Sequence, residues 1–289
     1  MWQVLPKPIL LIHLLILSFP LLMTEMGHGQ SFSSKEIDML INSTVDEVPW
    51  SKTELKKIFS HQQLKKLPET VKLNVTEPLR LSEERYKHFT EPYALNLARK
   101  FSRRWRTTLR QAAEKYAVDS EVIVAVMLVE TSFGRFKGDY HLLSIFSSTH
   151  VESNHMMAKD DYKELPEAMQ ARIKQRAEWS RQELIALLKM AKKHPRIKPF
   201  ELRGSYAGAF GKSQFLPSSY MRFAVRARDK ASPDLFFEPD AIYSIANYLK
   251  GHGYQRSLDR EENREALFAY NRSQVYVNVV LAVAQELKK

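Results

Sequence analysis

Hydrophobic residues along the chain recur mostly at helical spacing, and one run is apolar throughout. Residues 122–129 are eight consecutive apolar residues that lead directly into Glu130, before polar residues and Gly134 interrupt the pattern. A helix that is apolar on every side is buried on every side. The run therefore predicts a short core helix, capped by Asp119 or Ser120, which carries the Glu130 carboxyl at its C-terminal end.

The remaining pattern is also helical. A capping box at Ser51–Glu54 opens one helix, and Pro92 opens a long helix that is predicted to reach about Tyr116. A glycine-rich loop covers 199–216, and a small hairpin is predicted near 135–150. Further helices are predicted from Pro166, over 177–193, 217–227 and 239–249, and over 261–269 and 273–287. This pattern predicts a mainly α fold.

The first 29 residues have the pattern of a secretory signal. Lys7 precedes a nearly apolar stretch at 8–23, and Gly27 and Gly29 form a candidate cleavage pair. The alternative is an uncleaved N-terminal anchor. Both interpretations take the chain out of the cytoplasm, to the periplasm or cell envelope.

The rest of the chain is divided by composition. Residues 30–50 are polar with little periodicity and are interpreted as a linker, and 51–289 as a single domain. The net charge of +11 favours an anionic partner, and export disfavours nucleic acid in favour of a cell-wall polymer. The absence of cysteine excludes disulfides, thiolate nucleophiles, cysteine-ligated metals and lipid attachment through an N-terminal cysteine.

Glu130 is the first candidate for chemistry. Burial raises the pKa of a carboxyl group, and the negative end of a helix acts in the same direction. A glutamic acid that stays protonated near neutral pH is suited to general acid catalysis. The alternative is a structural glutamate paired with a nearby cation such as Arg135.

A second stretch, GSYAGAFGKSQFLPSSY at 204–220, contains the Gly-Lys-Ser of a phosphate-binding loop but not its spacing. Tyr206 stands where that motif requires glycine, five residues before Gly211. One interpretation is a cleft wall in which the glycines let backbone approach a ligand; the other is a turn-rich loop with its aromatics in the core. The residues of the cleft interpretation are Gly204, Gly208 and Gly211, the polar Ser205, Tyr206, Ser213 and Gln214, and the aromatic Phe210 and Phe215.

Together these stretches resemble a known family. VETSFGR with Glu130, the 204–220 stretch, DAIYSIANYLKGHGY at 240–254 and YNRSQVY at 270–276 occur in matching order. They are similar to the membrane-bound lytic transglycosylase B family, glycoside hydrolase family 103. The resemblance implies an α+β lysozyme-like catalytic domain with a deep cleft. It also implies cleavage of the β-1,4 bond between N-acetylmuramic acid and N-acetylglucosamine in peptidoglycan strands.

The same resemblance implies site residues and a mechanism. Glu130 is the sole acid and base, which protonates the leaving oxygen and then deprotonates the C6 hydroxyl of the muramic acid, giving a 1,6-anhydro product. Asn271 also has an alternative role as a helix N-cap. The expected substrate-binding residues are Ser205, Gln214, Tyr270, Asn271, Tyr276, Tyr86 and Tyr206.

Two segments depart from the family pattern. Cations at Arg226, Arg228 and Lys230 occupy the stretch where relatives often bind calcium, so no metal and no cofactor are expected. Residues 139–176 are divergent. Two other functions stay open: a hydrolytic muramidase in which Asp139 or another carboxylate directs water, and a non-catalytic wall-binding protein. The protein is expected to be a monomer.

Overall fold

The computed structural model describes residues 29–76, 83–228, 232–257 and 261–289, so the predicted signal segment lies outside the described residues. Within these ranges the chain forms thirteen α-helices and one two-stranded antiparallel sheet, which confirms the mainly helical prediction. The helices are α1 (Ser34–Thr44), α2 (Lys52–Phe59), α3 (Pro68–Val71), α4 (Glu83–Tyr86), α5 (Pro92–Arg104), α6 (Arg106–Tyr116), α7 (Ser120–Thr131), α8 (Leu142–Met157), α9 (Glu167–Lys193), α10 (Pro217–Phe223), α11 (Glu238–Gly251), α12 (Glu261–Tyr270) and α13 (Gln274–Lys288). The strands are β1 (Tyr140–His141) and β2 (Arg203–Gly204).

Helix α7 is the centre of the first hydrophobic core, as its apolar run predicts. Every side chain from Val122 to Leu128 is at most 1% exposed, and α5, α6, α11 and α13 surround the helix. Asp119 occupies the N-cap position, but its side chain does not cap the helix. It accepts hydrogen bonds from the Tyr254 hydroxyl at 2.9 Å and from the Ser257 backbone at 3.0 Å.

A second core contains α1, α2, α8, α9 and α10, and it corrects the linker prediction for 30–50. Helix α1 begins with a capping box between Ser33 and Glu36, and Leu40 is fully buried. The helical spacing of Ile37, Leu40 and Ile41 is present in the sequence, but the polar residues between them conceal it. This segment is part of the folded domain.

Two other predictions need correction. The long helix predicted from Pro92 ends at Arg104, because Trp105 leaves the helical conformation (φ −107°, ψ 20°) before α6 begins. The hairpin predicted near 135–150 does not form locally. Instead, β1 pairs with β2, about sixty residues later in the chain.

The divergent segment 139–176 forms α8 and the start of α9, which pack along each other. Polar residues on α8 obscured its burial, yet Ser144 and Ser148 are at most 1% exposed. Their hydroxyls accept hydrogen bonds from the backbone amides of Lys65 and Leu67, at 3.2 and 3.0 Å. In this way α8 fixes the chain that follows α2. None of the described helices is long and apolar enough to cross a membrane.

Candidate active site

Glu130 lies in the last turn of α7, where the backbone reverses direction sharply. Ser132 and Phe133 both adopt left-handed conformations (φ 47° and 63°), and the Phe133 amide donates back to the Met127 carbonyl at 3.1 Å. The Phe133 ring stacks on Phe101 at 4.3 Å. The turn is therefore anchored in the first core, and it leaves Glu130 at the end of a rigid element.

Glu130 is half-buried as a whole residue, and its carboxyl group lies in buried surroundings that favour the protonated form. Burial raises the pKa of Glu130 to about 7, and a weaker interaction with the Tyr276 hydroxyl lowers it. The alternative of a structural ion pair is contradicted within the described residues. Arg135 is exposed and donates to the Tyr93 hydroxyl at 3.2 Å, and no ion pair there includes Glu130.

Tyrosines surround the Glu130 carboxyl. Tyr270 and Tyr276 are nearly parallel, with ring centroids 6.4 Å apart, and Tyr86 approaches from α4. Burial raises the pKa of each of these tyrosines, and the charge of Glu130 raises it further; together these influences bring the pKa of Tyr86 to about 12. They therefore remain protonated hydroxyls at neutral pH.

The hydroxyls of Tyr270 and Tyr276 differ in their hydrogen bonds. Tyr270 donates to the Ser213 carbonyl at 2.5 Å, which ties α12 to the 204–220 loop. The Tyr276 hydroxyl is buried, and no atom of the described residues meets hydrogen-bond geometry with it. It remains able to donate to the Glu130 carboxylate or to a ligand.

In the 204–220 loop, the glycines and phenylalanines pack against other parts of the protein and do not line an open cleft. A Cβ on Gly208 would lie 2.2 Å from the Phe146 ring, and one on Gly211 would lie 2.5 Å from the Leu235 side chain. The space beside these glycines is filled by the protein itself, not left open for a ligand. Phe210 and Phe215 are each 2% exposed and belong to the second core. For these residues the ordinary-loop alternative is correct.

Among the polar residues of the loop, Ser205, Tyr206 and Gln214 are half-buried, whereas Ser213 is fully buried. The Ser205 hydroxyl accepts a hydrogen bond from the Ala209 amide at 3.2 Å. Gln214 has a left-handed backbone (φ 48°), and its amide nitrogen donates to the Gly211 carbonyl at 2.8 Å. The bond fixes the orientation of the amide group. Its oxygen accepts no hydrogen bond from the described residues.

Asn271 follows Tyr270 in the short turn between α12 and α13. The N-cap alternative for it is wrong, because Ser273 caps α13 by accepting from the Tyr276 amide at 3.3 Å. The side chain of Asn271 makes no hydrogen bond within the described part of the chain and is half-buried. It is free to bind a ligand, and its role stays a prediction.

Tyr206 lies beside Tyr86. A third residue near them, Arg176, was not among the residues that the sequence predicted for the site. Arg176 on α9 is half-buried near Tyr206, its guanidinium lies 5.0 Å from the Trp179 ring, and its buried Nε has no partner among the described residues. Burial lowers the pKa of Arg176, and nearby Arg172 lowers it further. Because α9 is distant in sequence from the other motifs, only the fold brings Arg176 to this site.

Tyr248 on α11 was also missed as part of the site. Its ring packs against Tyr270 at 4.7 Å, and its hydroxyl donates to the Ala269 carbonyl at 2.7 Å. The charge of Glu130 contributes to its raised pKa, so the two groups are neighbours. The DAIYSIANYLKGHGY motif contained this residue without indicating its position.

Asp139 and Asp240 are two further acidic residues, and neither contacts Glu130. Asp139 is exposed and pairs with Arg203 at 3.2 Å, beside the β1–β2 sheet, and it does not affect the pKa of Glu130. Asp240 accepts from the guanidinium of Arg226 at 3.2 Å and from the amides of Ala227 and Asp234. Its oxygens are thus occupied by protein donors.

One carboxylate cluster within the described residues has metal-ligand spacing. Glu36, Glu152 and His155 bring their ligand atoms within 4.8 Å of one another. The Lys66 ammonium lies in the same cluster, 2.5 Å from Glu36 and 3.7 Å from Glu152. The cluster is therefore an ion-pair network around an internal cation.

Comparison with known proteins identifies the family. The family model described as the transglycosylase SLT domain matches residues 33–261, which is most of the chain. The chain belongs to this family. The match begins within a residue of α1, in keeping with the packing of that helix on the second core.

Individual known proteins are similar to the chain in sequence or in fold. Membrane-bound lytic murein transglycosylase B of Escherichia coli is 32% identical over 154 residues, which are 53% of this chain and 37% of that protein. The E. coli lytic transglycosylase Slt35 in complex with bulgecin A has a TM-score of 0.72 at 23% identity, covering 92% and 96% of the two chains. SltB3 from Pseudomonas aeruginosa in complex with NAG-NAM-pentapeptide has a TM-score of 0.71 at 18% identity, covering 90% and 80%.

Proposed function

We propose that this protein is a peptidoglycan lytic transglycosylase that uses Glu130 as its sole general acid and base. The observation that carries the proposal is the pKa of Glu130, which burial raises to about 7. Within the described residues no second carboxylate perturbs it. A carboxyl group with a pKa near neutrality can both donate and accept a proton at neutral pH. Membership of the transglycosylase SLT domain family supports the same function.

The proposed substrate is the β-1,4 bond between N-acetylmuramic acid and N-acetylglucosamine. The carboxyl of Glu130 donates its proton to the glycosidic oxygen as the C1–oxygen bond breaks. The N-acetyl group of the muramic acid stabilises the positive charge that develops at C1. This role replaces the second carboxylate of ordinary glycosidases.

The ring closes in the second step. The Glu130 carboxylate takes the proton from the C6 hydroxyl while that oxygen bonds to C1. The carboxyl is thereby restored, and the product is a 1,6-anhydromuramic acid made without water. An intramolecular attack of this kind has a high effective molarity when the sugar ring is held in position.

The surrounding polar groups suit a sugar substrate. Tyr276 has a buried hydroxyl that meets full hydrogen-bond geometry with no atom of the described residues, and Gln214 has an amide oxygen free to accept. We assign these groups, with Ser205, Tyr270 and Asn271, to binding sugars on either side of the scissile bond. The half-buried guanidinium of Arg176 near Tyr206 suits a carboxylate of the glycan or its attached peptide.

SltB3 of P. aeruginosa has been solved in complex with NAG-NAM-pentapeptide. The envelope location, outside the cytoplasm, follows from the N-terminal pattern of the sequence and is part of the proposal. Tyr86 and Tyr206 are assigned to the wall of the same cleft.

The test is product analysis on purified sacculi. We expect muropeptides ending in anhydromuramic acid, which are lighter by one water than hydrolysed products. The E130Q variant should lose about a hundredfold to ten-thousandfold in rate while still binding sacculi. The E121Q variant, at the opposite end of α7, is the matched control and should keep its activity. Products with only reducing ends would establish a hydrolytic muramidase instead, and an active E130Q variant would exclude Glu130 as the acid.

A further inference from the structure

Exposed aromatic residues are concentrated on one surface of the molecule. Within the described residues, five large hydrophobic side chains are at least 36% exposed. Four of them come from three segments that contact each other: Tyr93 at the start of α5, Phe136 in the turn after Glu130, and Phe236 and Phe237 just before α11. These four residues are called the aromatic patch below. The fifth, Phe268, is on α12, close to Ala269, whose carbonyl contacts the far half of α11.

Cations hold the segments of the aromatic patch together. The Arg135 guanidinium donates to the Tyr93 hydroxyl at 3.2 Å. The Lys137 ammonium lies 5.4 Å from the centre of the Phe236 ring. Phe136 lies between these two cations in the chain, so residues 135–137 bring one aromatic ring and two positive charges to the patch.

The charge of the patch is positive. Four cations border it, and none forms an ion pair within the described residues: Lys100, Arg104, Arg135 and Lys137. Lys100 and Arg104 lie seven and eleven positions after Tyr93, which places all three on one face of α5.

Acidic groups at the edge do not cancel this charge. Glu238 is already paired with Lys212 at 2.6 Å, and the nearby charge of Arg104 contributes to its lowered pKa. The carboxylate of Asp234 accepts from the Phe236 amide at 2.8 Å. Glu238 is therefore balanced by Lys212, whereas Asp234 and the exposed Glu91 keep their negative charges. Four cations outnumber these two carboxylates, so the border of the patch stays positive.

We propose that the aromatic patch docks this protein on the surface of a bilayer that contains anionic phospholipid. Aromatic rings enter the boundary between headgroups and acyl chains, and lysine and arginine beside them bind lipid phosphates. Phenylalanine carries no hydrogen-bonding group, so three exposed phenylalanines fit a lipid boundary better than a sugar strand. The proposal does not depend on the chemistry at Glu130.

The absence of cysteine allows a direct test in the full chain. A single cysteine at position 236 (F236C), labelled with an environment-sensitive fluorophore, is mixed with vesicles of equal parts phosphatidylglycerol and phosphatidylcholine. We expect a blue shift with these vesicles and little change with phosphatidylcholine alone. F268C is the matched control, because position 268 lies outside the aromatic patch. The N-terminal apolar segment is present in both variants, so binding through that segment alone would not distinguish the two probes. A probe at 268 should stay in water.

Charge removal completes the test. The R135Q/K137Q double variant should bind the anionic vesicles about 30-fold more weakly, because each cation near a charged bilayer contributes about 1 kcal/mol. The K56Q/K57Q variant on α2 should change binding by less than about twofold. Equal shifts at 236 and 268, or equal losses in the two charge variants, would overturn the proposal. So would loss of sacculus binding by R135Q/K137Q without any loss of vesicle binding, since that result would assign the patch to the glycan.

Discussion

At the scale of single residues, the state of Glu130 is set by opposing influences. Burial at the end of an apolar helix disfavours the charged carboxylate and raises the pKa to about 7, while the Tyr276 hydroxyl stabilises the carboxylate and lowers it. The first influence is the larger. The free protein below about pH 7 therefore holds the carboxyl in the form that donates a proton.

Replacing Tyr276 by phenylalanine tests this balance. The Y276F variant loses the group that lowers the pKa of Glu130, so that pKa should rise. Because the protonated form is the acid, the alkaline limb of the kcat/KM profile should move to higher pH. At lower pH the rate should fall by less than about tenfold, since one imperfect hydrogen bond contributes about 1 kcal/mol.

Tyr248 supplies the control for that measurement. Its hydroxyl donates to the Ala269 carbonyl instead of to Glu130. The Y248F variant should therefore keep the alkaline limb of the parent protein. An unshifted or acid-shifted limb in Y276F would show that the hydroxyl does not stabilise the carboxylate.

At the scale of elements, α1 has the largest difference between expectation and structure. A segment interpreted as a linker is a helix with a capping box, and Glu36 in that box also binds Lys66 at 2.5 Å. Leu40 on the inner face of α1 is fully buried in the second core. The helix therefore contributes to the stability of the domain that carries the 204–220 loop.

Truncation of Leu40 measures that contribution. The L40A variant should lose about 3 kcal/mol of unfolding free energy, within the range for buried leucines. Denaturant unfolding provides the measurement. D38A changes an exposed position of the same helix and should alter the free energy by less than about 0.5 kcal/mol. If both variants match the parent protein, α1 does not belong to the cooperative fold.

At the scale of the whole molecule, the site lies where the two cores meet. Helix α7 with Glu130 belongs to the first core, and the 204–220 loop belongs largely to the second. Thr131, 1% exposed, links them directly. Its hydroxyl donates to the Lys212 carbonyl at 3.1 Å and accepts from the Gly134 amide at 2.9 Å.

Removal of this hydroxyl should weaken the junction. The T131V variant keeps the side-chain shape but leaves the Lys212 carbonyl without the donor it has in the parent protein, which costs about 1–3 kcal/mol. The Gly134 amide keeps its bond to the Thr131 backbone carbonyl. T131S keeps the hydroxyl and should recover most of the loss in denaturant unfolding. A T131V protein as stable as the parent would show that the Thr131 bonds do not support the junction.

The sequence was sufficient for features that depend on local pattern. The apolar run 122–129 predicted α7, and the Ser51–Glu54 capping box predicted the start of α2, as observed. Burial of Glu130 followed from the same run. The break at Trp105 and the pairing of β1 with β2 were missed because neither has a local signal.

The sequence by itself determined that α7 forms, that it is buried, and that one carboxyl group stands at its end. A run that is apolar on all sides has to be enclosed by the rest of the protein. The tertiary structure decided which groups surround that carboxyl. Tyr86, Tyr248 and Tyr276 meet at Glu130 from three separate helices, and the glycines of the 204–220 loop prove to accommodate the protein's own side chains. Distances between segments far apart in the chain depend on how the two cores pack, and residue spacing along the chain does not specify them.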